Sequence, residues 1–246
     1  MALTWSGNGR GTAVLLHGMM SLSHTWWRIG PALAARGWDV TALDLAAHGG
    51  NRLDRPLDVD ALLDSVATRA PGPVELLVGH SMGAATAAAL AGRQPAYARA
   101  LVLEDPPGGR ADRGEELARG VERDAATDRE TLLARSRREH PTWAAEDVEY
   151  DVVGIEEADV ASVAGGLRSG LGGWDAPALV AAVRAPVLLL AATDGESALT
   201  DAARDGVRAA LPAGRFVELP GGHCLHRDVP DRWLAEVDAF TAEVLG

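Results

Sequence analysis

The sequence predicts an open α/β sheet, mostly parallel, with helices packed on both faces. Three observations carry this expectation. Short runs that are apolar at nearly every position recur at residues 12–16, 38–43, 74–78, 100–103, 187–191 and 215–219. Stretches with helical spacing alternate with them, and turn residues bound almost every run. A strand that is apolar throughout must be covered on both sides, and strand–helix alternation belongs to parallel sheets with crossover helices.

Taken in order, the run 12–16 opens the sheet and a helix at 24–36 returns the chain to the run 38–43. A helix at 59–69 comes next, with Asp58 placed to cap it through its carboxylate. The run 74–78 passes directly into a helix of small residues at 82–93, and 100–103 follows. There the rhythm breaks. Between Pro106 and Ala185 no sheet strand is expected, and 115–123 and 129–138 read as helices of mixed charge. A stretch of about 75 residues is too long for a plain loop. Residues 107–185 are therefore expected to form a helical cap over the carboxyl ends of the strands, where such sheets bind ligands. The core then comprises 1–106 and 186–246, closing with the run 187–191, a helix at 200–211 capped by Thr200, the run 215–219 and a helix at 230–244.

Composition narrows the partners. Forty-seven percent of the 246 residues are apolar, enough for a sizeable core without metals or disulfides. All 23 basic residues are arginine, against 35 acidic ones, and the formal charge of −12 disfavours nucleic acid and anionic membrane. Cys224 is the single cysteine, which excludes an intrachain disulfide and a cysteine-based zinc site. No run approaches the roughly 18 apolar residues of a membrane span, and residues 1–10 lack the pattern of a signal peptide. The expectation is a cytoplasmic protein, monomer or homo-oligomer, acting on a small molecule without cofactor or metal.

The strongest chemical signal is Gly79-His80-Ser81-Met82-Gly83, between an apolar run and a helix. A strand turning sharply into a helix forces its central residue into a strained conformation, and glycine on each flank avoids clashes there. The turn lifts the Ser81 hydroxyl above the sheet at the positive end of the helix. A hydroxyl needs a base to become a nucleophile. His223, in Gly221-Gly222-His223 after the last run, reaches the same sheet edge and follows Ser81 in the chain. His226 is its local rival, whereas His80 lies inside the elbow and points elsewhere. A tetrahedral intermediate needs two donors for its oxyanion. The amide of Met82 is one candidate, and Met19, in the turn Gly18-Met19-Met20, is the other, with Gly18 allowing close approach of substrate.

Together with Asp44-Leu45-Ala46-Ala47-His48-Gly49, these segments resemble the α/β-hydrolase superfamily from Thr12 to the end of the chain, apart from the cap. The resemblance implies that the usual amino-terminal hairpin is cut to one short strand near 3–6, or lost. It leaves two candidates for the acid that orients His223. Asp194 stands in the loop where most of that superfamily carries an aspartate. Glu104, in Leu103-Glu104-Asp105-Pro106-Pro107, resembles the glutamate of zearalenone-type lactone hydrolases. Pro141-Thr142-Trp143-Ala144 and 191–197 resemble the same subfamily, which implies that Trp143 of the cap packs on the substrate. Glu104 is the favoured acid, and Asp194 the alternative.

Trp26 is a candidate wall of the acyl pocket, with packing as the competing role. Asp44 and His48 are expected to brace the loop after the second run. The cap acids Asp147, Glu149, Asp151, Glu156 and Glu157 are expected to form, for the most part, a solvated face. The reading is a serine hydrolase that cleaves a carboxylic ester or lactone of a largely apolar small molecule through an acyl-enzyme. Thioester hydrolysis or acyl transfer would use the same residues, and the fold also hosts lyases and ligand-binding proteins without catalysis.

Overall fold

The apolar runs assemble into one seven-stranded sheet in the computed structural model, which describes residues 2–108, 113–194, 197–211 and 214–246. The strands are β1 (Ala2–Trp5), β2 (Gly11–Leu16), β3 (Trp38–Leu43), β4 (Val74–His80), β5 (Ala98–Glu104), β6 (Val187–Ala192) and β7 (Gly214–Leu219). Their order is β1-β3-β2-β4-β5-β6-β7. All pairs are parallel except β1 with β3, and β1 lies at the edge as a short antiparallel strand.

Successive side chains of a strand point to opposite faces, and the core divides accordingly. Leu76 and Val78 of β4 join a cluster with Trp26, Trp38, Trp233 and Phe240. Leu77 faces the other way, towards Leu62, Val66, Ala84 and Leu90. The first cluster is covered by α1 (Ile29–Ala35) and α10 (Pro230–Leu245), the second by α2 (Val59–Arg69), α3 (Met82–Arg93) and α9 (Asp201–Ala210). Asp58 caps α2 by accepting from the Ala61 amide at 2.8 Å, and Thr200 caps α9 through Ala203 at 3.3 Å.

The helix expected at 24–36 is divided. A 3₁₀ turn covers Ser23–Trp26 and α1 begins at Ile29. Pro31 gives the reason: a continuous helix would need its missing N–H to reach the Trp27 carbonyl, whereas in a first turn that N–H has no partner to lose.

Five helices lie between β5 and β6 among the described residues: α4 (Gly114–Ala125), α5 (Arg129–Glu139), α6 (Ala145–Glu156), α7 (Val160–Arg168) and α8 (Ala176–Ala181). The acids expected on a solvated face divide: Glu156 and Glu157 are exposed and Glu149 is half-exposed, whereas Asp147 is turned inward. Asp147 is buried, accepting from the Trp27 indole at 2.8 Å and from the Ala144 amide at 3.2 Å. Asp151 accepts from Arg227 at 3.1 Å and from the Ser136 hydroxyl at 3.0 Å, while Glu149 and Glu156 pair with Arg129. These acids tie the excursion to itself and to the core. Among the described residues no helix is long and apolar enough to cross a membrane.

Candidate active site

Ser81 occupies the single residue between β4 and α3, at φ 52 and ψ −119. A non-glycine residue held in such a region costs on the order of 1–3 kcal/mol and persists only where its surroundings enforce it. Here they do. A Cβ on Gly79 would lie 2.3 Å from the Gly83 carbonyl oxygen, and one on Gly83 would lie 2.4 Å from the Leu16 oxygen. Glycine at both positions lets α3 start hard against β2 and β4. The Ser81 amide donates to the Glu104 carbonyl at 2.9 Å, which ties the elbow to β5.

His223 follows β7 and is half-buried, and its Nδ1 lies 2.6 Å from Oδ2 of Asp105. Asp105 itself is fully buried, directly after β5, at φ 40. Its carboxylate also accepts from the Ser197 hydroxyl at 2.7 Å and from the amides of Ala198 at 2.8 Å and Ala192 at 3.2 Å. Burial alone would raise its pKa. The hydrogen bonds from His223, Ala198 and Ser197, with the charge of His223, outweigh burial and hold it below the usual carboxylate range.

Neither acid expected from the sequence reaches His223. Glu104 is buried on the opposite side of β5, where it accepts from Nδ1 of His226 at 2.8 Å, from the His226 amide at 3.1 Å and from the Trp233 indole at 2.9 Å. Asp194 is exposed and accepts from the neighbouring Thr193 hydroxyl at 3.2 Å. The signal that separates Glu104 from Asp105 is strand phase. Ala100 and Val102 belong to the Trp233 face, so Glu104, two residues on, must share it. Glu104 is also level with His80 in the register, which leaves Asp105 level with Ser81. The glutamate at the heart of the lactonase resemblance therefore sits in a different hydrogen-bond network.

Ser81, Met82, Met19 and His223 open into one cavity of about 220 Å³. Its outer wall comes from the excursion, through Leu117, Leu167, Leu171 and Trp174. Gly18 lies against the elbow rather than on the cavity wall: a Cβ there would meet Nδ1 of His80 at 2.8 Å and Cβ of Ser81 at 3.3 Å. Trp143 is not on the cavity wall; its indole donates to Asp228 at 2.6 Å and its ring stacks on His140 at 3.8 Å. Trp26 is wholly buried, 4.5 Å from the His226 ring and 6.2 Å from Trp233. The tryptophan that lines the cavity is Trp174.

His80, Glu104 and His226 bring donor atoms within 4.8 Å of one another, a spacing compatible with a metal. The set does not favour one. Both His226 nitrogens are bonded, to Glu104 and to the Thr25 hydroxyl, and Nε2 of His80 bonds the His223 carbonyl at 3.0 Å. Cys224 is no nucleophile, because burial pushes its thiol pKa up.

A strained serine elbow on a mostly parallel sheet, beside an imidazole held by a buried acid, is the arrangement of a hydrolase built on this kind of fold. Residues 13–237 match the model of the Alpha/beta hydrolase family, and the chain belongs to that family. Lipase LipV of Mycobacterium tuberculosis (strain ATCC 25618 / H37Rv) is 32% identical over 179 residues, covering 70% of this chain and 66% of the lipase. Pimeloyl-(acyl-carrier protein) methyl ester esterase of Neisseria meningitidis serogroup A / serotype 4A is 37% identical over 89 residues. That match covers 36% of this chain and spans only 28% of the esterase's length. A thermophilic esterase from Thermogutta terrifontis superposes with a TM-score of 0.76 at 20% identity, over 99% of this chain and 93% of that one. The last likeness shows the fold alone.

Proposed function

We propose that the chain hydrolyses a carboxylic ester or lactone of a small, largely apolar molecule through an acyl-enzyme on Ser81. The observation that carries this reading is the 2.6 Å bond between His223 and the buried Asp105, at the mouth of a cavity that Ser81 shares. Nε2 of His223 takes the Ser81 proton as the hydroxyl oxygen attacks the carbonyl carbon. The amides of Met19 and Met82 hold the oxyanion. The ester C–O bond then breaks, and the imidazolium gives its proton to the leaving alcohol. Water, deprotonated by the same nitrogen, attacks the acyl carbon and releases the acid, with Ser81 reprotonated. Asp105 keeps His223 in the tautomer that accepts at Nε2 and stabilises its charged form.

Esterase and lipase names among the relatives support ester chemistry. The apolar wall of Leu117, Leu167, Leu171 and Trp174 supports a hydrocarbon acyl or alkyl group over a charged one. The test is labelling with a fluorophosphonate, read by mass spectrometry. One adduct on Ser81 is expected, abolished in Ser81→Ala together with turnover of p-nitrophenyl esters. An unlabelled protein, or a Ser81→Ala variant that still turns over ester, would defeat the reading.

A further inference from the structure

The turn that carries Met19 is gripped by an imidazole that no step of this reaction uses. Met20 sits at φ 56, a region that a long side chain enters only under constraint. Its amide donates to Nε2 of His48 at 3.1 Å. The other nitrogen of that ring, Nδ1, donates to the Ala46 carbonyl at 2.9 Å, so the tautomer is fixed with the Nε2 lone pair towards Met20. Burial pushes the His48 pKa down to about 4, and the neutral ring keeps that lone pair available. Further along the turn, the Ser23 amide donates to Asp44 at 2.7 Å. From the opposite side α6 closes in: a Cβ on Gly154 would lie 2.5 Å from the Met20 oxygen and 2.8 Å from Cα of Ser21.

We propose that His48 is a positioning residue for the oxyanion site. By accepting the Met20 amide it fixes the Met19–Met20 peptide, and the Met19 amide is then the donor left for the cavity. Without that acceptor the Met20 amide loses the one hydrogen bond that favours its positive φ, and the turn can rotate the Met19 amide away. The inference rests on the acyl-enzyme reading above, which supplies the oxyanion.

The experiment compares His48→Phe, which keeps a ring but no acceptor, with His48→Gln. Glutamine can accept from Met20 and donate to Ala46 through one amide. Loss of an oxyanion donor lowers turnover on the order of 100–1000-fold, so kcat of His48→Phe is expected to fall on the order of 100-fold. KM should move by less than about threefold, because the lost interaction belongs to the transition state. An alkyl boronic acid, whose tetrahedral adduct on Ser81 carries an oxygen in the oxyanion site, should lose affinity by a similar factor. Binding of the neutral product alcohol should not change, and His48→Gln should recover most of both losses. A merely structural role would lower the melting temperature without separating boronate from alcohol, and that result overturns the proposal. Should His48→Phe fail to fold, His48→Asn, whose amide is too short to bridge both partners, replaces it with the same expectations. Wild-type protein unlabelled by fluorophosphonate would defeat both readings, whereas labelled wild type with unimpaired His48 variants would defeat this one alone.

Discussion

Asp105 and Glu104 are adjacent acids with opposite environments, and chain position alone does not separate them. One strand step turns the first towards His223 and the second towards His226 and Trp233. Asp105→Asn keeps the shape but presents the wrong donor to the imidazole, and kcat is expected to fall on the order of ten-thousand-fold. Asp194→Asn should leave kcat unchanged. Steady-state kinetics on a p-nitrophenyl ester checks both, and comparable losses in the two variants would remove Asp105 from the role given it here. Glu104→Ala belongs to a different measurement. It leaves the buried His226 and Trp233 donors without an acceptor, so urea unfolding should show a loss of about 3–5 kcal/mol.

At the scale of elements, the sheet is legible because its inner strands are apolar at nearly every position, and the caps at Asp58 and Thr200 because they precede helical runs. The helix expected at 24–36 is shorter in the structure, since Pro31 permits a helix start and forbids a helix interior. Asp147 and Asp151 depart from the solvated face because their partners, Trp27 and Arg227, are remote in the chain. Trp174 rather than Trp143 meets the cavity for a similar reason: only the packing of the excursion decides which indole lines it. Gly172, beside Trp174 on that wall, has room for a side chain, with Leu117 and Leu167 at 3.6 and 3.7 Å from a Cβ built there. Gly172→Leu should therefore fill part of the cavity and shift preference towards shorter acyl chains. A methylene in an apolar pocket is worth about 1–3 kcal/mol, so kcat/KM for a hexanoate ester should fall at least tenfold relative to acetate. An unchanged chain-length profile would place the acyl group elsewhere.

For the whole molecule, three buried histidines set the response to acid. Burial pushes His17 down to about 3 and His48 to about 4 from the ordinary 6.5, and holds His80 well below it. Each stays neutral in the fold and takes a proton in the unfolded chain. The stability they contribute is thus complete above pH 6.5 and is lost as pH falls towards 4, by about 1.4 kcal/mol per unit for each ring. Urea midpoints measured from pH 7.5 to 4.5 should fall steeply below 6.5, and the slope should be shallower in His48→Gln. A flat profile over that interval would mean that these rings titrate normally in the fold.

The amino-acid sequence by itself determined the sheet, the elbow and the residues offered as nucleophile and base. Those features are local: an apolar run must be covered, and a glycine-flanked serine between strand and helix can turn only one way. The partner of His223, the indole on the cavity wall and the grip of His48 on Met20 were decided by tertiary structure alone. Each depends on which face of a strand or helix meets a segment distant in the chain, and burial, phase and close backbone approach settle that only once the layers have packed.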